Sequence, residues 1–204
     1  MYVVFRPPLN RQRHEAVLAM LKEVGASRVI DLGCGPGAFL RVLADDPAFT
    51  GVTGVDVSVR SLETAARRLR LERMGDRQRS RIELFQGALT YRDTRFQGYD
   101  AAVLMEVVEH VDPPRLAALV DVVFGHARPG AVLVTTPNAE HNARYEGLDG
   151  FRHPDHRFEW TRAEFAAWCE EVATGHGYAV EVSGIGEDDA EVGAPTQMGV
   201  FRRG

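Results

Sequence analysis

The sequence predicts a doubly wound α/β fold, in which helices cover both faces of a mostly parallel, seven-stranded sheet with an antiparallel hairpin at one edge. Two observations carry this prediction. Short apolar runs alternate with amphipathic stretches along most of the chain, and strands that alternate with helices form parallel sheets covered on both faces. The last two apolar runs follow each other with no helix between them, which predicts the hairpin.

Length and composition are those of a globular protein with one core. The chain has 204 residues, of which 45% are hydrophobic and 26% charged, so we expect a single domain over residues 1–204. The net charge of −5 provides no overall basic field for nucleic acid. Any contact with a nucleic acid must therefore come from a local group of cations.

Cysteine usage and hydropathy favour a cytoplasmic protein. Cys34 and Cys169 are far apart and form no CxxC pair, so we expect a reducing compartment and no disulfide framework. No apolar run reaches the roughly 18 residues of a membrane span, and residues 1–10 contain no signal-peptide apolar segment. We therefore expect no contact with a membrane.

In the first half of the chain, apolar positions at helical spacing alternate with short apolar runs. Ser58 is a candidate N-cap, and Gly75 a candidate stop, for a long amphipathic helix between them. The predicted elements are helix 11–24, strand 28–33, helix 37–46, strand 50–57, helix 58–75 and strand 81–87.

The second half repeats the alternation and then ends in two strands. Paired prolines at 113 and 114 favour the start of a helix, and Thr161 with Glu164 forms a capping box for another. The predicted elements are strand 99–107, helix 113–127, strand 130–138, helix 161–177, strand 178–185 and strand 197–203.

Two polar, aromatic-rich segments interrupt this rhythm, at residues 88–98 and 138–160. The second is 23 residues long and holds three histidines. Loops of that length without secondary structure are usually functional or disordered. The histidines and the aromatic residues argue against disorder, so we expect a functional loop.

The segment DLGCGPG follows the first predicted strand and opens a helix. Its glycines, Gly33, Gly35 and Gly37, let the backbone turn sharply and approach a ligand closely. Asp56 ends the second strand about 20 residues later, where a carboxylate can accept the ribose hydroxyls of an adenosine. These residues predict a cofactor site at the strand ends.

Two cofactor classes compete for this site. The spacing Gly33-x-Gly35-x-x-Ala38 nominally satisfies a dinucleotide fingerprint. However, Asp31 would repel a pyrophosphate and suits a positively charged amino-acid end, and Pro36 removes an N–H donor. The pattern D-x-G-x-G-x-G with an acidic end to strand two resembles the class I, Rossmann-like S-adenosylmethionine-dependent methyltransferases. A nucleotide cofactor and a purely structural glycine turn remain the alternatives.

The segment EVVEH gathers Glu106, Glu109 and His110 at the end of the fourth predicted strand. In a helix, spacings of three and four would place the three side chains on one face. Two carboxylates and an imidazole suit Mn²⁺ or Mg²⁺ better than a tetrahedral zinc site. The alternative is a solvated helix start, where acidic residues are favoured by the helix dipole.

EVVEH and the later segment DHRFEWT together closely resemble the small-RNA 3′-terminal ribose 2′-O-methyltransferases, a family that in bacteria belongs to an RNA repair system. LTYRD (89–93), TPN (136–138) and PLNRQR (8–13) also resemble family segments. The resemblance implies a divalent ion in a metal and RNA-binding loop at 138–160. The donor set favours Mn²⁺, with Mg²⁺ or another transition ion as alternatives. The ligands that it implies are Glu106, Glu109, His110 and His156.

The resemblance also implies the reaction. A methyl group would pass from S-adenosylmethionine to the 2′-hydroxyl of the 3′-terminal nucleotide of an RNA, while the metal chelates the terminal 2′- and 3′-hydroxyls. His110, His156 or Glu106 would accept the proton. The cofactor would also contact Ala88 and Leu89, although Ala88 stands where we expect a small hydroxyl residue.

We expect the partners to be an RNA 3′ end and an RNA end-repair kinase, phosphatase or ligase, and we expect no binding of DNA. We also expect the protein to be a monomer. Two other functions remain open: a metal-dependent O-methyltransferase of a small vicinal diol, and a non-catalytic adenosyl-binding module. Candidate RNA contacts are the arginines of the polar segments, namely Arg11, Arg13, Arg92, Arg95, Arg144, Arg152, Arg157 and Arg162.

Overall fold

The strands form one seven-stranded sheet in a computed structural model that describes residues 7–204. The strands are β1 Arg28–Leu32, β2 Gly51–Asp56, β3 Ile82–Gln86, β4 Ala101–Met105, β5 Ala131–Pro137, β6 Tyr178–Ile185 and β7 Thr196–Arg203. Their order is β3-β2-β1-β4-β5-β7-β6. The first five strands are parallel, and β7 pairs antiparallel with both β5 and β6. The predicted fold class is confirmed; residues 1–6 of the predicted domain lie outside the described residues.

Helices cover both faces of this sheet. The α-helices are α1 Leu9–Glu23, α2 Ala38–Asp45, α3 Val59–Leu69, α4 Asp76–Arg79, α5 Leu116–Val120 and α6 Arg162–His176. Alternate strand residues point to opposite faces, so Val29 packs with α1, α2 and α3, whereas its neighbour Ile30 packs with α5 and α6. Each face therefore has its own apolar layer.

Two predicted helices differ from the observed ones. The helix predicted over 58–75 ends at Leu69, because Arg70 takes a left-handed conformation with φ 57°. Leu69 is also its last fully buried residue, and Leu71 and Met74 beyond it pack only partly against the core, so packing supports helical spacing less there. Gly75 is the N-cap of the short α4 rather than a stop. In the helix predicted over 113–127, α5 continues as a π-helical segment, Asp121–Ala127.

The topology brings the predicted motifs to one edge. Strand order reverses between β1 and β4, and ligands of doubly wound folds bind beyond the carboxyl ends of the strands at such a point. The glycine motif follows β1, and EVVEH follows β4. Among residues 7–204, no helix is long and apolar enough to cross a bilayer.

Candidate active site

The glycine loop, residues 33–37, is shaped by close backbone packing. Gly33 and Gly37 have φ of 85° and 74°, in the left-handed region that favours glycine. A Cβ at Gly33 would lie 2.7 Å from Val107 Cγ2, and one at Gly37 would lie 2.7 Å from Ala65 Cβ. The N–H of Gly33 donates to Val55 O at 2.8 Å. This contact ties the loop to the end of β2.

Asp56 joins the glycine loop to the start of α3. Its Oδ2 accepts from the Gly35 N–H at 2.9 Å, and its Oδ1 accepts from the Ser58 N–H at 2.8 Å. Each carboxylate oxygen can accept a second bond, so a ribose hydroxyl can still be bound. Asp31 lies deeper and is 3% exposed. Burial, together with the nearby Asp56, raises the pKa of Asp31 to about 7.

A cavity of about 520 Å³ opens beside the glycine loop. Five of the seven predicted cofactor residues line it: Gly33, Gly35, Asp56, Ala88 and Leu89. The other two, Asp31 and Gly37, do not form its wall. The far end of the cavity is lined by Glu106, His110 and Arg115.

The EVVEH segment is not the regular helical turn that its spacing suggested. Glu106 has φ 55°, and a short 3₁₀ helix, Val108–His110, follows it. The Glu106 N–H donates to Thr135 O at 3.0 Å, and its Oε1 accepts from Thr135 Oγ1 at 2.9 Å. These bonds to β5 stabilise a left-handed turn directly after β4. Glu106 therefore precedes the helical turn instead of sharing its face.

Three of the four predicted metal ligands come together. One potential ligand atom from each of Glu109, His110 and His156 lies within 4.8 Å of the others, and we call these residues the cation cluster. Glu106 is outside this group, and its Oε2 forms an ion pair with Arg13 Nη2 at 2.9 Å. His153 is more exposed, with its ring centroid 5.9 Å from that of His110.

The cluster residues are held by specific hydrogen bonds. Glu109 is fully buried; its Oε2 accepts from Thr136 Oγ1 at 3.0 Å. Its Oε1 is buried without a partner among the described residues. His156 Nδ1 lies 2.5 Å from Glu159 Oε1.

The charges of the cluster fit a divalent cation. Burial raises the pKa of Glu109 well above its usual range, and the negative charge of Glu106 raises it further. Burial, with His156 nearby, lowers the pKa of His110 and favours the neutral imidazole that binds metals. A cation would offset the cost of the buried carboxylates and would give the unpartnered Glu109 Oε1 a ligand role.

Comparison with known proteins identifies the family. A family model described as a methyltransferase domain matches residues 5–173. The solved methyltransferase domain of bacterial CtHen1-C is 53% identical, with a TM-score of 0.90, and the match covers 97% of this chain and 100% of that one. The chain belongs to the Hen1 methyltransferase family. The family predicted from EVVEH and DHRFEWT is thus confirmed.

Two more distant relatives are longer proteins that this Hen1-type domain matches in part. A protein of Rattus norvegicus named small RNA 2′-O-methyltransferase is 37% identical over 207 residues, which is 98% of this chain. The match covers 52% of that protein, so the chain spans about half the length of the curated relatives it matches. A chain in the Pnkp1/Rnl/Hen1 RNA repair complex has a TM-score of 0.73 at 24% identity, covering 97% of this chain and 42% of that one. At this identity the likeness shows the fold alone.

Several residues of the site were not predicted as site residues. Thr135 and Thr136 lie near the end of β5 and donate hydrogen bonds to Glu106 and Glu109, respectively; only Thr136 belongs to the TPN segment of the family resemblance. Arg13, which was expected to contact RNA, forms an ion pair with Glu106, and this contact was not predicted. Glu159 is the glutamate of DHRFEWT, three residues after His156, and this spacing was the available signal.

Most of the arginines expected to contact RNA are already paired. Arg92, Arg95, Arg144 and Arg162 form ion pairs with neighbouring carboxylates. Arg115, which was not predicted, differs: its Nη2 donates to Thr90 Oγ1 at 2.7 Å, and its guanidinium lies 5.9 Å from the Tyr91 ring centroid. No ion pair of Arg115 occurs among the described residues.

Proposed function

We propose that this domain transfers a methyl group from S-adenosylmethionine to the 2′-hydroxyl of the 3′-terminal nucleotide of an RNA. The observation that carries the proposal is the cation cluster beside the cavity that begins at the glycine loop. Membership of the Hen1 family supports the same chemistry, because its rat relative is named a small RNA 2′-O-methyltransferase.

The cofactor would lie in the cavity of about 520 Å³. Asp56 would accept ribose hydroxyls, and Ala88 and Leu89 would contact the adenine. The glycine loop would let the backbone approach the amino-acid end of the cofactor. Transfer of a methyl group that is already cationic depends mainly on alignment, which this rigid edge of the sheet supplies.

Glu109, His110 and His156 would hold the divalent ion, and Glu106 would complete the ligand set from the adjacent turn. When bound, the ion supplies a chelate for the vicinal 2′- and 3′-hydroxyls and lowers the pKa of the attacking hydroxyl. Two carboxylates and two imidazoles favour Mn²⁺, with Mg²⁺ or another transition ion as alternatives. Of the three predicted proton acceptors, Glu106 and His110 line the cavity, whereas His156 does not.

Arg115 is the residue that we propose for the RNA backbone. Arg115 lines the same cavity as His110, and its guanidinium has no carboxylate partner among the described residues. A phosphate next to the terminal nucleotide would satisfy this charge. The RNA end-repair partners remain a prediction from the family resemblance.

The test is a set of parallel incubations with labelled S-adenosylmethionine and Mn²⁺. The substrates are a short RNA, the same RNA ending in a 2′-deoxynucleotide, the same RNA with a 3′-phosphate, and free catechol. We expect label in the first RNA alone and none after addition of a chelator. Label in the 2′-deoxy RNA would contradict the proposed acceptor, and label in catechol alone would favour the small-diol function.

A further inference from the structure

In both histidines of the cation cluster, Nδ1 is the ring nitrogen that contacts an oxygen of the protein. His110 Nδ1 lies 3.3 Å from the backbone oxygen of Asp155, and His156 Nδ1 lies 2.5 Å from Glu159 Oε1. A backbone carbonyl and a carboxylate oxygen accept hydrogen bonds, so in a neutral ring each Nδ1 carries the proton. The nitrogen left with a lone pair in each ring is Nε2.

Glu159, the partner of His156, is buried and forms further hydrogen bonds. The side chains of His156 and Glu159 are 7% and 1% exposed. Glu159 Oε2 accepts from Asn142 Nδ2 at 2.6 Å, and its Oε1 also accepts from the Arg152 N–H at 2.7 Å. The Glu159 carboxylate thus accepts hydrogen bonds from two donors besides the imidazole, and these bonds fix its position.

Further bonds lock these two donors. Arg152 Nε donates to Asn142 Oδ1 at 2.5 Å, and the Arg152 guanidinium also donates to the backbone oxygens of Pro195 and Asn138. The carboxylate of Glu159 therefore sits at the centre of a network that joins the loop to the end of β5 and to the segment before β7. A network of this kind holds a side chain in one rotamer.

We propose that Glu159 is a positioning residue of the cation site: it fixes the Nδ1–H tautomer and the ring orientation of His156, so that Nε2 is presented to a divalent cation. This inference rests on the proposed function, because the cation cluster is part of it. In the other tautomer Nε2 carries the proton and cannot be a ligand. A carboxylate that accepts from the second nitrogen of a ligand histidine also increases its basicity.

A purely structural role predicts a different outcome. If Glu159 merely tied the loop together, its bonds to Asn142 and Arg152 would account for it, and the short contact with His156 would have no consequence. Loss of the carboxylate would then lower stability without changing the tautomer of His156. The tautomer is therefore the measurement that separates the two roles.

The experiment uses Glu159→Gln and Glu159→Leu, with Glu140→Gln as the matched control. Glu140 lies in the same region but bonds Arg162. Long-range ¹⁵N–¹H correlation spectra of the cation-free protein report the tautomer of His156, and calorimetry reports the affinity for Mn²⁺. S-adenosylhomocysteine binding shows that each variant is folded.

We expect Glu159→Leu to lose the Nδ1–H tautomer and about 10- to 100-fold in Mn²⁺ affinity. Glu159→Gln should lose less, because its amide oxygen can still accept from Nδ1–H. Glu140→Gln should match the wild-type protein, and S-adenosylhomocysteine affinity should stay within about twofold in every variant.

An unchanged tautomer in Glu159→Leu, or Mn²⁺ affinity within about twofold of wild type, would overturn the inference. Failure of wild-type protein to bind Mn²⁺ would overturn it together with the metal part of the proposed function. Mn²⁺ binding and the tautomer change without methylation of RNA would instead support the inference and count against the proposed reaction alone.

Discussion

The glycine loop and the cation cluster lie at the same edge of the sheet but are built in opposite ways. The loop is contiguous in sequence, and its shape depends on backbone conformation and on the absence of Cβ atoms. The cluster depends on side chains from residues 106–110, 135–136 and 156–159, which meet only in the folded chain. The loop should therefore be sensitive to added atoms, and the cluster to lost charge.

The largest effect should follow from removing charge in the cluster. Glu109→Gln keeps the size of the side chain and an acceptor for Thr136, but it removes the fully buried carboxylate that we propose as a ligand. We expect methylation to fall at least on the order of 1000-fold, more than about 4 kcal/mol. Radiolabel transfer measures it, with Glu140→Gln as a control. Activity within about tenfold of wild type would rule out Glu109 as a ligand.

The buried carboxyl group of Asp31, close to the glycine loop, should make the stability of the protein depend on pH. Burial and Asp56 raise the pKa of Asp31 to about 7 in the folded protein. As pH rises from about 4 to 7, the unfolded chain loses this proton while the folded protein keeps it, so the free energy of unfolding falls; above pH 7 the loss is constant.

Asp31→Asn should remove this slope. The free energy of unfolding of the wild-type protein, minus that of the variant, should fall by up to roughly 4 kcal/mol as the pH rises from about 4 to 7. Urea unfolding of cofactor-free protein at several pH values measures it. Parallel curves for the two proteins would mean that Asp31 titrates in its ordinary range.

A single methyl group added to the glycine loop should lower the stability of the protein. Gly37→Ala combines a φ of 74° with a contact of 2.7 Å to Ala65 Cβ, and we expect a loss of roughly 3 kcal/mol. Gly35→Ala is the matched comparison, because its φ is 52° but no atom lies within 4 Å of the added Cβ. It should cost about 1 to 2 kcal/mol. Equal losses, measured by thermal unfolding, would contradict the packing argument.

The smallest effect should follow from changing Arg115, the residue that we propose as an RNA contact. Arg115→Gln should raise the KM for RNA about five- to tenfold and reduce the slope of log affinity against log salt by about one. Arg92→Gln is the control, because Arg92 already pairs with Asp121 at 2.8 Å. A loss in Arg92→Gln equal to that in Arg115→Gln would place the RNA elsewhere.

The same contrast explains what the sequence could predict. The alternation of strands and helices, the glycine loop and Asp56 are local patterns, and the structure has them at the expected strand ends. The cluster was predicted from a family resemblance that joins two distant segments. The contacts of Arg13 with Glu106 and of Arg152 with Asn142 could not be predicted, because they depend on tertiary packing.

The backbone conformation of Glu106 is a second feature that depends on tertiary contacts and could not be predicted. Side-chain spacing indicated a helix face, but bonds between Glu106 and Thr135 favour a left-handed turn that no local pattern specifies. Likewise, the ion pair of Arg144 in the long loop cannot be predicted from the sequence, because its partner, Asp189, is 45 residues away along the chain.

The anchoring of the long loop has a consequence for synthesis. Asn138 Nδ2 donates to Val192 O and Ala194 O at 2.7 and 2.9 Å, and Gln197 Nε2 donates to Trp160 O at 3.0 Å. All four predicted metal ligands have thus been translated by residue 156, some forty residues before these supports are. On the ribosome, the glycine loop and β1 to β5 can form first, whereas the cation cluster must wait for β7. A nascent chain should therefore acquire the glycine loop well before it acquires the cation cluster.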